Sequence, residues 1–200
     1  MGPAKPAAIA FALAALALTP ASSAAHRYAD PVGDYSPPRY IRHPDIISLS
    51  VSNTALAVRF DINFARAPLE LDSVDVLLDL DSHGATRTGS GRFRQAEVTL
   101  SDRVWEAYRA GTRKRAWVFF APVIDPAPVA WIRASGKAVH LTMPIRFVMT
   151  DSAGHKHKVV IPRHFRFFVW AWANDNVDHY LPDEDLAPNS RWFTYRATRS

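Results

Sequence analysis

The chain has 200 residues, with 24 Lys and Arg against 19 Asp and Glu, eight His and no cysteine. That length fits one domain or two small ones. The absence of cysteine excludes disulfide staples, a lipidated-cysteine anchor and a cysteine nucleophile. The formal charge of +5 comes from scattered arginines, of which Arg113, Lys114 and Arg115 form the densest run.

Residues 1–25 carry one cation, Lys5, then an apolar run from Ala7 to Leu18, then Pro20 and a string of small residues. This is the layout of a secretory signal peptide, with cleavage expected after Ala25. The run is shorter than the roughly 20 residues a membrane-spanning helix needs, so no span is expected in the mature chain, residues 26–200. The expected location is secreted, periplasmic or at the cell surface. There the basic charge points to an anionic cell-wall polymer or surface, or to a solvated face, and not to nucleic acid.

The next stretch, through Pro44, has no period and reads as an extended lead-in. From Asp45 the pattern alternates. Val58, Phe60 and Ile62 share a face with Leu56, and Val74, Val76, Leu78 and Leu80 form a second such set. Short β-branched or aromatic runs follow at QAEVTL, RAWVFFA, VAWIRA and KAVHLTM. A long apolar segment, HKVVIPRHFRFFVWAWA, is broken by Pro162, and RWFTYR ends the series. About nine or ten strands at spacings near ten residues predict an all-β, antiparallel sandwich or barrel; of the two, the fold expected is the two-sheet sandwich, jelly-roll or immunoglobulin-like in shape. Ser101 to Arg113 is the one helical candidate, of one or two turns.

No nucleophile elbow, phosphate loop, dinucleotide fingerprint or zinc-protease motif occurs. The candidates that remain bind rather than react. Asp79 and Asp81 lie two apart at a strand end and so share a face. Gly84 stands where a calcium loop bends, but His83 and Ser90 replace two of its ligands. The stretch is either an Asp-rich turn or part of a cation site completed from elsewhere. Asp30, Asp34 and Asp45 could complete it, as could the acidic run from Asp175 to Asp185. His155 and His157 read as a polar hairpin tip, two ligands being too few for zinc. Trp170 and Trp172 share a face with Phe168 and Arg166. They are either core or a flat platform on which a sugar ring stacks.

Five stretches in order, ADPVGD, PDIISLSVSNTALAVRFDI, VLLDLDSHGATRTGSG, AEVTL and VDHYLPDEDLAPNSRWFTY, resemble secreted bacterial domains of the DOMON-like superfamily. That group includes carbohydrate-binding modules and the C-terminal domains of glucodextranases. The resemblance spans most of residues 29–196. It implies a two-sheet sandwich, structural calcium and a sugar-binding face, with Asp30, Asp34, Asp45, Asp79 and Asp81 as the acidic positions. The expectation is an exported, non-catalytic domain that binds carbohydrate, with Trp170 and Trp172 as its platform. The rivals are an envelope protein held by protein contacts, and an enzyme of another type.

Overall fold

The computed structural model describes residues 24–33, 45–67, 72–81, 96–120, 123–173, 183–188 and 192–197. Residues 1–23 of the expected signal peptide, Asp34, the SHGATRTGSG loop and most of the acidic run before Asp183 lie outside them.

Among the described residues the chain is almost entirely β. Thirteen strands form in order: β1 (His26–Ala29), β2 (Ile46–Asn53), β3 (Ala57–Phe64), β4 (Asp72–Asp79), β5 (Val98–Arg103), β6 (Lys114–Phe120), β7 (Val123–Ser135), β8 (Ala138–Pro144), β9 (Arg146–Thr150), β10 (Lys156–Val160), β11 (His164–Ala173), β12 (Asp183–Ala187) and β13 (Phe193–Arg196). One helix, α1 (Val104–Ala110), follows β5. It buries Val104 and Ala107, one turn apart. It stops at Gly111, whose φ of 61° is the left-handed conformation that glycine supplies at a helix end.

Eleven strands make one sheet in the order β1-β2-β3-β8-β7-β6-β5-β4-β11-β12, with β13 also on β11. Every pairing is antiparallel. β9 and β10 form a separate hairpin. The antiparallel all-β class expected from the sequence is present. The division into two facing sheets is not what the pairing gives, because one ladder runs unbroken from β1 to β12 and curls into a half-barrel.

The curl brings distant strands face to face. Phe60 of β3 lies 5.6 Å from Phe167 of β11, centroid to centroid, although five strands separate them along the ladder. Two register shifts between β6 and β7 add local bend. They coincide with Pro126 and Pro128, which have no N–H to give the ladder. The concave side holds the core: Val58, Phe60 and Ile62 from β3, Val74, Val76 and Leu78 from β4, and Phe165, Phe167 and Val169 from β11. Leu56 departs from its expected face and is 73% exposed. It sits in a tight turn held by the Thr54 hydroxyl, which accepts from the Leu56 and Ala57 amides. The sheet's ends meet through side chains. Tyr28 donates to the Thr194 carbonyl at 2.8 Å, and the Ile46 amide donates to Asp185 at 2.5 Å.

Candidate functional site

Since alternate residues of a strand face opposite sides, the polar positions of β3, β8 and β7 project from the convex side. Register aligns them into rows. Arg59 pairs with Thr142, Thr142 with Trp131, and Trp131 with Arg115. The next row is Asp61, His140 and Arg133. Arg113 reaches back over the same ground. Its guanidinium lies 4.3 Å from the centre of the Trp131 ring, and that of Arg115 lies 3.8 Å away. Such contacts hold planar cations in place. A cleft of about 410 Å³ follows the rows, lined among others by Trp131, Arg59, Arg113, Arg133, His140 and Thr142.

The second row is fixed by one carboxylate. Asp61 Oδ1 accepts from Arg59 Nε at 2.7 Å and lies 2.5 Å from His140 Nδ1. A carboxylate only accepts, so Nδ1 carries the proton there. The 3.2 Å approach of Arg59 Nη2 to that same nitrogen is then a contact and not a hydrogen bond. Four arginines against one aspartate leave the face strongly cationic. A bare indole suits a neutral sugar ring; an indole already stacked with guanidinium suits an anion.

Trp170 and Trp172 lie on the convex side of β11, with rings 5.8 Å apart and tilted 30°. Both are half-buried, neither core nor open platform. Trp170 packs on Leu77, Ala96, Phe168 and Leu186, a small second apolar cluster on the convex face of β4, β11 and β12. Trp172 Nε1 donates to Asp75 at 3.4 Å. Burial pushes the Asp75 carboxyl above its ordinary value, against hydrogen bonds from Ser101 and Trp172. The open aromatics are on β6 instead: Trp117 is 46% and Phe119 38% exposed. The alternation of RAWVFFA separates them from buried Ala116 and Val118, a signal the sequence reading left unused.

The acidic residues fall in two places. Asp79, Asp81 and Glu97 lie close enough for one ion, the one such set among the described residues. Yet Asp79 is wholly buried and ion-paired with Arg166, whose Nε is 2.7 Å away, and Glu97 accepts the Leu80 amide. Asp30 and Asp45 are not part of this set. Asp45 accepts the Gly33 amide, and Asp30 bonds through its backbone to Ile47. They adjoin Asp185, which pairs in register with Ala171, whereas Asp79 pairs with Arg166. That is five residues along β11, or about 16 Å. His155 and His157 sit at a hairpin tip, as expected. There Asp151 accepts from both, at 3.2 and 2.9 Å. Chiefly the His157 bond, with the His155 amide, holds that carboxyl well below the usual carboxylate range.

No protein-family model, curated protein or solved structure matches the chain.

Proposed function

We propose that this chain is an exported, non-catalytic domain that binds an acidic polysaccharide or similar anionic cell-wall polymer across the convex face of its sheet. The observation that carries the reading is the row Arg59–Thr142–Trp131–Arg115, with Arg113 and Arg115 both stacked on Trp131. Held over the ring at 4.3 and 3.8 Å, each guanidinium loses less side-chain freedom when a carboxylate, sulfate or phosphate binds. Thr142 and His140 offer hydrogen bonds to hydroxyls between the charges. The cleft, of about 410 Å³, is lined chiefly from three adjacent strands, β3, β8 and β7. Export rests on the pattern of residues 1–25, and the carbohydrate class is in keeping with the DOMON-like resemblance. The half-barrel, whose β3 and β11 pack face to face, is read as a two-layer sandwich whose layers remain joined along one side. In this reading any structural calcium sits at Asp79, Asp81 and Glu97, and the face of Trp170 and Trp172 extends the surface.

The test is retention on a uronic-acid polymer against neutral dextran, measured by titration calorimetry at low and high salt. The acidic polymer should bind and weaken with salt. Trp131→Ala, which releases both guanidiniums, should weaken binding about thirtyfold, the scale of an interface hot spot. Equal affinity for dextran, or wild-type affinity in Trp131→Ala, would sink the proposal.

A further inference from the structure

The hairpin β9–β10 stands outside the main sheet, yet its inner side is part of the core. Phe147, Met149 and Val159 are buried, so the hairpin cannot roll. Its outer side is therefore presented at a fixed angle. That side holds six exposed residues in three cross-strand pairs: Arg146 with Val160, Val148 with Lys158, and Thr150 with Lys156. Three are cations and none is an acid. The carboxylate in the turn, Asp151, is directed onto His155 and His157. Between the cations, Val148 and Val160 are 49% and 54% exposed, among the large apolar side chains open to solvent in the described residues.

Exposed valines are ordinary in a strand, but here both lie among three cations on one small face. Cations interleaved with apolar side chains suit a boundary that is negative at its surface and apolar just beneath. The area also matters. Three pairs cover about 13 Å by 5 Å, far less than the 20–30 residues a side of a stable protein interface. A second copy fits less well, since a twofold contact would bring two cationic faces together. The convex groove lies on other strands, so this face is independent of the polymer reading.

We propose that the outer face of β9–β10 docks on an anionic bilayer surface. Arg146, Lys156 and Lys158 meet lipid phosphates, and Val148 and Val160 enter the headgroup layer. The association is peripheral and reversible; among the described residues no helix is long and apolar enough to cross a membrane.

Sedimentation with phosphatidylglycerol–phosphatidylcholine vesicles, against pure phosphatidylcholine, tests this on the purified chain. Each cation at an anionic surface contributes about fivefold in affinity, or about 1 kcal/mol. Lys156→Glu with Lys158→Glu should therefore cost at least about 25-fold. Val148→Ser with Val160→Ser keeps every charge and should still cost about fivefold or more. Arg109→Ala with Lys137→Ala, exposed cations on neither the hairpin face nor the groove rows, should sediment as wild type does. Equal binding to neutral vesicles, wild-type binding by either hairpin variant, or loss of binding in the Arg109 and Lys137 variant would overturn the proposal. Unchanged circular dichroism in each variant keeps misfolding apart from these outcomes.

Discussion

Tyr28 should act as a clasp between the two ends of the curled sheet. β1 has its ladder on β2, and β13 has its ladder on β11, so side chains must join them. Tyr28 supplies a hydrogen bond to the Thr194 carbonyl at 2.8 Å. It also sets its ring edge-on to Phe167 at 5.3 Å and beside Phe193 at 4.7 Å. Tyr28→Phe removes the bond alone, at a water-accessible site, and should cost about 0.5–1 kcal/mol. Tyr28→Ala also removes the ring. A fully buried aromatic would cost about 3–5 kcal/mol. Tyr28 is half-buried, and its two ring pairs add a little, so about 2–3 kcal/mol is expected. For a chain of this size that lowers the melting temperature by about 5–10 °C. Urea denaturation followed by tryptophan fluorescence should show a lower midpoint at constant slope. Burial, with Tyr195 nearby, pushes the Tyr28 phenol up to about 12. The neutral form is thus favoured in the fold. Its contribution is complete below about pH 10 and is lost as pH rises through 12, and Tyr28→Phe should abolish that part. If Tyr28→Ala proves no worse than Tyr28→Phe, the ring closes nothing and the seam is wrongly assigned.

Asp75 gives the opposite sign to an ordinary surface acid. Burial raises its carboxyl, so the fold favours the protonated form and loses stability as pH rises above the unfolded value near 4. Asp75→Asn keeps an acceptor for Trp172, should raise the neutral-pH melting temperature, and should flatten the pH profile above pH 4; a lower melting temperature at pH 7 would show that the charge is used. Calcium at ten times its dissociation constant adds about 1.4 kcal/mol, which should appear as a rise of about 3–6 °C that Asp81→Asn reduces. No rise at millimolar calcium would mean that Arg166 and the Leu80 amide are partners enough for Asp79 and Glu97.

Most strands were legible because their alternation is simple. In β3 every second side chain is buried, and the polar residues between are what a reader expects in solvent. β1 was not legible, for it has four residues and no period to detect among prolines. β12 was hidden for a different reason. Its sequence DEDLA looks like a solvated acidic loop, yet Asp185 is 1% exposed and holds the Ile46 amide. An acid turned inward inverts the rule that reading by alternation depends on. The curl itself leaves little trace in the pattern. It follows from ring contacts between β3 and β11, more than a hundred residues apart in sequence, and from bulges that show only as Pro126 and Pro128.

The convex groove was illegible for a stricter reason. Arg59, Arg115, Trp131 and Thr142 come from four strands, and each alone is an unremarkable outward residue. What makes them a row is register, and register is set by the hydrophobic faces behind them. A slip of one residue between β7 and β8 would turn Ile132, wholly buried now, into solvent and bring Trp131 into the core. The cost of exposing isoleucine therefore holds Trp131 outward. The bulge between Ala116 and Val118 begins one residue after Arg115, so the guanidinium still meets the indole before the ladder shifts. The core thus decides where these arginines stand. Substitutions at Ile132 that loosen it should disturb the groove without touching any residue that lines its charge.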